Sequence, residues 1–209
     1  INKNIFQTYM KYDQVKVGVD PVIFTIFRNR LHVYLNKREK DPFIGLLELP
    51  GGLLVENESA NDTIKRKLLE QFGDVYFKQF HTFTNPKRDP RFRVISIGFI
   101  ALVPMEQIKN KDDIHEVQNL SRLAFDHLEI IKKAREEIKQ NISTNALKKF
   151  MPDKFPLNKL QEVYEVLENK KYDNRNFRKK ILSLDILEDT KEMEKKVSHR
   201  PAKLFKFNN

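Results

Sequence analysis

Hydrophobic positions in the first hundred residues come in short runs rich in Val, Ile, Phe and Tyr, which is typical of β-strands. Between these runs, segment 59–72 places Ile64, Leu68 and Phe72 four residues apart, which predicts an amphipathic helix that ends at Gly73. Strands around such a helix predict an α/β or α+β domain. The predicted strands are VKVGVDPVIFTIF (15–27), LHVYLNK (31–37), VYFKQFHTFT (75–84) and RVISIGFIALV (93–103).

The pattern becomes helical after Gly98, the last glycine of the chain. Four positions within 124–141 recur at helical spacing, which predicts a helix that closes the first domain. Two prolines bracket the short polar stretch 151–156, which is typical of a linker. The four helix positions are Leu128, Ile131, Arg135 and Ile138. The predicted layout is a first domain over 1–141, a linker over 142–155 and a second domain over 156–209.

The second domain begins with two predicted helices, over 156–169 and within 170–184. In the second of them Phe177, Ile181 and Leu184 occupy positions i, i+4 and i+7 and form one apolar stripe. The outer face of this helix is strongly basic, so two short helices in this order suggest a helix-turn-helix.

The chain ends in a segment of alternating character, 197–209, which predicts a strand. A hairpin with residues near 186–192 would complete the order helix, helix, hairpin. That order is the outline of a winged helix.

Composition adds a preference for anionic partners. The 209 residues include 39 Lys plus Arg against 29 Asp plus Glu, a net charge of +10. Such an excess favours nucleic acid or a phosphate-bearing ligand. The absence of cysteine excludes disulfides and cysteine-ligated zinc. No apolar run approaches the roughly 20 residues of a membrane helix. The start INKNIFQTYM lacks the pattern of a signal peptide, so we expect a cytoplasmic protein with no membrane partner.

The stretch GGLLVENESANDTIKRKLLEQFG (51–73) resembles the Nudix box. That pattern is Gly, five residues, Glu, seven residues, then Arg-Glu-apolar-any-Glu-Glu-any-Gly-apolar. The resemblance covers roughly residues 10–140 and implies a Nudix domain, an α/β/α sandwich with a mixed sheet. The positions in register are Gly52, Glu58, Arg66, Leu68, Glu70 and Gly73, and the mismatches are Lys67, Gln71 and Asp74.

The mismatches fall on the positions that carry Nudix chemistry. Enzymes of this family use helix carboxylates to hold Mg²⁺ against a diphosphate. Positions 67, 70 and 71 share one helix face, and here they carry Lys67, Glu70 and Gln71, with a charge near zero. We therefore predict no catalytic residues, no metal site and no cofactor. Glu56 and Glu58 leave weak residual hydrolysis open.

A ligand pocket is predicted from the arginine-rich loop 85–96, NPKRDPRFRVIS. Turns at Asn85-Pro86 and Asp89-Pro90 would present its cationic side chains to a phosphate. Solvated or structural arginines are the alternative. The predicted effector-binding residues are Arg38, Arg88, Arg91, Arg93 and Glu70.

A DNA surface is predicted from the basic face of the helix within 170–184. Arg and Asn suit guanine and adenine edges, and Lys suits phosphates. A merely solvated basic helix is the alternative. The predicted DNA contacts are Arg175, Asn176, Arg178, Lys179 and Ser183 on the helix, with Arg200 and Lys203 on the wing.

A degenerate Nudix domain followed by a winged helix-turn-helix resembles the Nudix-related transcriptional regulators over nearly the whole chain. The resemblance implies a homodimeric repressor on palindromic double-stranded operator DNA. It also implies an effector such as ADP-ribose or a related nucleotide, with a sugar such as arabinose as the alternative. Two alternatives remain open: an active Nudix hydrolase acting on ADP-ribose, and a sugar-responsive repressor of the same fold.

Overall fold

The computed structural model describes residues 14–141, 143–195, 198 and 200–208. Residues 1–13 of the predicted first domain lie outside the described residues, as do residues 197, 199 and 209 of the predicted terminal strand. No helix within the described ranges combines the length and the apolar character needed to cross a bilayer.

The first domain contains the predicted strands and the two predicted helices, joined by short loops and three 3-10 helices. The box helix begins with a capping box between Ser59 and Asp62 and ends at Gly73, which has a φ of 78°. The elements are β1 (Lys16–Phe27), β2 (Arg30–Tyr34), β3 (Asn36–Lys37), β4 (Leu47–Glu48), β5 (Gly52–Leu53), α1 (Ala60–Phe72), β6 (Tyr76–Phe83), β7 (Val94–Leu102), β8 (Ile114–Glu116) and α2 (His127–Asn141). The 3-10 helices are Met105–Gln107, Lys111–Asp113 and Val117–Asn119.

The main sheet is mixed, with the strand order β6-β7-β1-β2-β8 and with β5 also paired to β1. Strands β1 and β7 are parallel, whereas β1 is antiparallel to β2 and β5. Alternate residues of β1 face opposite layers. Val19 and Ile23 pack with α1, whereas Val22 and Phe24 pack with α2. Helices on both faces make the α/β/α sandwich that the box resemblance implied.

The second domain confirms the predicted helix, helix and hairpin. A three-stranded sheet has the order β10-β11-β9, in which the first two strands form the hairpin. The elements that follow α2 along the chain are α3 (Thr144–Phe150), β9 (Phe155–Pro156), α4 (Leu157–Glu168), α5 (Asn174–Ser183), β10 (Leu187–Met193) and β11 (Lys203–Phe207).

The segment 142–155, predicted as a linker, contains α3 and the first residue of β9. Leu147 is fully buried, and α3 packs against β6 and β7 of the first domain. Phe155 is also fully buried and pairs with Phe205 of β11. Helix α3 is too short to show a clear periodicity, and the prolines that follow it are typical of a break between domains. The position of the domain boundary stays a prediction.

The two domains share one hydrophobic core. A continuous cluster of buried side chains runs from Phe24 in the main sheet to Phe177 and Phe205 in the second domain. Helix α2 packs on the sheet and also against α4. Of its predicted face Ile131 and Ile138 are buried, whereas Arg135 is half-buried.

Candidate functional site

A cavity of about 160 Å³ opens where the Gly-Gly loop, strand β1 and the start of α2 meet. Three of the predicted effector residues, Arg38, Arg88 and Arg91, line it. We call this cavity the polar pocket.

Buried charges form the floor of the polar pocket. Arg88 donates from Nε and Nη2 to Asp126 at 2.9 and 2.7 Å, and from Nη2 to Asp20 at 2.9 Å. Asp20 also accepts a hydrogen bond from Ser96 Oγ at 2.5 Å. Burial lowers the pKa of Arg88, but the hydrogen bonds and charges of the two carboxylates outweigh it and raise that pKa above its usual value. The charge of Arg88 is therefore already compensated, and its role as a phosphate contact stays a prediction.

His127 fixes the Gly-Gly loop to the start of α2. Its Nδ1 accepts the Leu49 amide at 2.9 Å, so the tautomer assigned from this bond carries its proton on Nε2, which lies 3.7 Å from Asp20 Oδ1. Burial lowers the pKa of His127, which favours the neutral ring. The backbone of Gly51 approaches so closely that an added Cβ would lie 2.3 Å from Asp20 Oδ1. Only glycine fits at this position.

The rim of the pocket combines an aromatic ring with two guanidinium groups. The Arg38 and Arg91 guanidinium carbons lie 4.7 and 5.3 Å from the centroid of Phe125. Arg38 also pairs with Glu48 at 2.7 Å, and Arg91 pairs with Asp89 at 2.8 Å. Phe125 has a φ of 52°, a backbone conformation that residues other than glycine rarely adopt. Such residues are concentrated at functional sites. An aromatic face beside cations suits a flat ligand that carries negative charge.

Two of the predicted effector residues lie elsewhere. Arg93 does not line the polar pocket, and its guanidinium donates to the Thr84 carbonyl at 2.8 Å. Glu70 is exposed near the end of α1, beside a separate depression that includes Gln71 and Glu106. Their assignment as effector contacts stays a prediction.

Of the two carboxylates of the Nudix box that are in register, Glu58 and Glu70, the first is occupied by protein partners. Glu58 accepts two hydrogen bonds from Arg66, each at 2.8 Å, and one from Thr63 at 2.9 Å. The hydrogen bonds from Arg66 and then Thr63 lower the pKa of Glu58 to about 2. Lys67 lies beside the glycine loop, where a Cβ on Gly52 would be 3.2 Å from its Nζ. An ammonium stands there in place of a carboxylate.

The residues of the box do not fit the Mg²⁺ that Nudix enzymes use. Glu70 and Gln71 are exposed, and Gln71 supplies no charge. Among the described residues, no group of three or more His, Cys, Asp or Glu side chains is placed to hold a metal ion. We derive no chemistry through a metal at this position.

The predicted DNA face is exposed on α5. Phe177 and Ile181 are buried against the domain, and Asp173 caps the helix by accepting the Asn176 amide at 2.9 Å. Within the described chain, the basic side chains of the face form no ion pair. The exposed residues of this basic face are Arg175, Asn176, Arg178, Lys179 and Ser183.

Hydrogen bonds across the helix-turn-helix fix the direction of α5. Gln161 Nε2 lies 3.0 Å from Glu165 Oε1, 3.0 Å from the Tyr172 carbonyl and 2.8 Å from Asn174 Oδ1. Glu165 also accepts from the Tyr172 amide at 3.0 Å and from Lys171 Nζ at 2.6 Å. The hydrogen bond from Lys171, followed by those from Gln161 and the Tyr172 amide, lowers the pKa of Glu165 to about 2. These bonds join α4 to the start of α5.

The wing places the two remaining predicted DNA contacts on its surface. Lys203 is exposed and pairs with Asp189 on the neighbouring strand at 3.0 Å. Arg200 is exposed as well. The roles of the wing and of the basic face in DNA binding stay predictions.

Several residues of the polar pocket are absent from the prediction. Asp20 is the only charge inside the buried part of β1, which was an available signal for a polar site. Asp126 and His127 gave no signal, because their partners Arg88 and Leu49 lie 38 and 78 residues away in the sequence. Phe125 lies at the start of a predicted helix, where a single aromatic residue carries no functional signal. The register of the main sheet decides which of these distant residues come into contact.

Two family models match the chain. The model described as NUDIX domain covers residues 18–144, and the model described as NrtR DNA-binding winged helix domain covers residues 148–207. Together they account for nearly all of the described residues.

Three similar proteins have names that state a function or a bound partner. An ADPR responsive transcriptional repressor NtrR of Acinetobacter baylyi is 28% identical over 210 residues, covering 94% of this chain and 83% of the relative. The crystal structure of Shewanella oneidensis NrtR complexed with a 27mer DNA is 33% identical with a TM-score of 0.79, covering 92% of this chain and 93% of that one. An ADP-ribose pyrophosphatase of Methanocaldococcus jannaschii is 34% identical over 139 residues, covering 63% of this chain and 80% of the relative.

Proposed function

The chain belongs to the Nudix family and within it to the NrtR-like regulators, and we propose from this that it is a DNA-binding transcriptional repressor that senses ADP-ribose. The observation that carries the proposal is the basic face of α5, which the helix-turn-helix bonds hold outward from a winged helix. A recognition helix in this position can enter the major groove of operator DNA. This function requires a cytoplasmic location.

ADP-ribose is the effector that the polar pocket suits best. Its rim offers Arg38 and Arg91 beside Phe125, which fits a ligand with a planar base and a diphosphate. Arg38 and Arg91 are paired with Glu48 and Asp89, and their remaining planar N–H donors suit a diphosphate, which a neutral sugar lacks, so the sugar-responsive alternative is disfavoured. The Acinetobacter baylyi relative is named as responsive to ADPR.

Helix α2 provides a route from the effector to DNA. Its first residue, His127, lines the polar pocket, the preceding Asp126 holds Arg88 in the floor, and the body of the helix packs against α4. A ligand that shifts the start of α2 would therefore shift the helix-turn-helix. We expect a homodimer in which this shift changes the half-site spacing that the two winged domains can span. Operator binding must weaken effector binding by the same factor as effector binding weakens operator binding.

A second candidate function is hydrolysis of ADP-ribose, which the 34% identity to a pyrophosphatase favours. The box argues against it, because Lys67 and Gln71 replace two carboxylates and Glu58 is engaged by Arg66. We therefore propose a binding domain without catalysis. Glu56 and Glu70 remain as exposed carboxylates that would have to serve any residual activity.

The test is fluorescence anisotropy with labelled duplex DNA from upstream of the protein's own operon, at one fixed salt concentration because affinity depends on salt. We expect tight binding that unlabelled random DNA does not displace and that ADP-ribose reverses. Reversal by arabinose instead of ADP-ribose would transfer the effector role to a sugar. Absence of sequence-specific binding would overturn the repressor.

A further inference from the structure

A second cavity, of about 210 Å³, lies between the two domains. The first domain contributes Arg30, the first residue of β2, and Arg135 from α2. The second domain contributes Glu165 and the turn residues Lys170 and Lys171. None of its lining residues lines the polar pocket. We call it the interdomain cavity.

The charges of the interdomain cavity are unbalanced. Arg30 pairs with Glu116 at 2.9 Å, and Lys171 pairs with Glu165 at 2.6 Å. Across the part of the chain that the structure describes, neither of the other two cations has a carboxylate partner. The unpaired cations are Arg135, which is half-buried, and Lys170, whose Nζ lies 5.1 Å from the Tyr172 ring.

Arg135 is half-buried as a residue and meets no carboxylate among the described residues, so any hydration that its side chain loses is a cost that no opposite charge offsets. A bound anion would offset this cost. The space is sufficient, since a cavity of roughly 150 Å³ accommodates benzene in an engineered protein core. The amides of Gln118 and Asn169, which also line the cavity, supply neutral donors for the remaining oxygens.

We propose that the interdomain cavity binds a phosphate-bearing anion, held by Arg135 of the first domain and Lys170 of the second. The anion contacts both domains at once and therefore stabilises one relative placement of α2 and the helix-turn-helix. Any ligand that prefers one placement shifts the population toward it. The phosphate comes from a free metabolite or from the DNA backbone, which present the same chemistry to Arg135.

The first arm of the test uses inorganic pyrophosphate as the probe and the full chain without DNA. Calorimetric titration compares the variants with no other ligand present, and because the substituted residues do not line the polar pocket, a difference between variants reports the interdomain cavity. We expect R135Q and K170Q each to weaken pyrophosphate binding about tenfold. The matched control is K133Q, which removes an exposed charge from the same helix as Arg135 and should leave binding unchanged.

The second arm measures binding to duplex DNA of random sequence as a function of salt. If the backbone supplies the phosphate, R135Q lowers the slope of log affinity against log salt by about one, and K133Q does not. If a free anion is the ligand, only the first arm responds. Equal behaviour of R135Q and K133Q in both arms would overturn the proposal. Neither arm requires an operator or a response to ADP-ribose, so the repressor function and this site can fail separately.

Discussion

Arg88 and Asp126 form a buried bidentate ion pair, in which Nε and Nη2 of the arginine donate to the two carboxylate oxygens at 2.9 and 2.7 Å. The side chains of Arg88 and Asp126 are 6% and 14% exposed. The same guanidinium holds Asp20, so one cation compensates two carboxylates from elements far apart in the sequence.

R88M is expected to lower the free energy of unfolding by about 3–5 kcal/mol, because it leaves two buried carboxylates without a counter-ion. Urea denaturation followed by circular dichroism measures the change. The control is R93M, whose guanidinium donates to one exposed carbonyl and whose loss should cost under about 1 kcal/mol. Equal stabilities of the two variants would show that Arg88 does not hold the floor.

His127 should make stability depend on pH. Burial holds the pKa of His127 in the folded protein below the usual 6.5. Below pH 6.5 the unfolded chain therefore binds a proton at this histidine that the folded protein does not bind. The free energy of unfolding should therefore fall as the pH drops from 6.5 to the folded-state pKa, by at most about 1.4 kcal/mol per unit. H127N keeps an acceptor for the Leu49 amide and removes the titration. Parallel stability curves for wild type and H127N between pH 7.5 and 5.5 would refute this role.

The basic face of α5 should carry sequence recognition. R175A is expected to weaken binding to the operator by about 1–3 kcal/mol, as for the loss of a good base contact. K179A should lower the salt slope by about one if Lys179 contacts a phosphate. The control K109A removes an exposed lysine of the first domain and should leave operator affinity unchanged. Anisotropy titrations at several salt concentrations distinguish the three variants.

Wild-type protein should release no AMP from ADP-ribose with Mg²⁺ above background. K67E/Q71E adds two carboxylates beside Glu70 and should gain measurable Mg²⁺ affinity, because three negative charges then share one helix face. Calorimetry measures the metal and chromatography the AMP. K65E, a charge reversal on an exposed position of the same helix, is the matched control. Turnover by the wild-type protein would favour the pyrophosphatase function.

Local patterns predicted most of the fold. The spacing of Ile64, Leu68 and Phe72 predicts α1, and the stripe of Phe177, Ile181 and Leu184 predicts α5, although Leu184 follows the helix and is exposed. These elements are set by residues near one another in the sequence. Strand β9 was missed because two residues carry no period, and only its pairing with β11 makes it a strand.

The polar pocket depended on contacts that the sequence does not display. The arginine-rich loop borders the cavity, but no local pattern shows that Arg88 would be neutralised by Asp20 and Asp126. The position of Asp20 depends on the parallel register of β1 and β7, which sets it beside Gly98 and brings it next to Ser96. Register between distant strands is not encoded in local spacing.

Helix α3 and strand β9 are separated by only residues 151–154, yet α3 rests on the sheet of the first domain and β9 completes the sheet of the second. A chimeric regulator that exchanges winged domains should therefore be spliced within these four residues. Splicing at residue 156 would leave Phe205 without the strand that covers it, and splicing before Thr144 would strip the sensor of its own helix. The exchange point is a short connection between two packed elements.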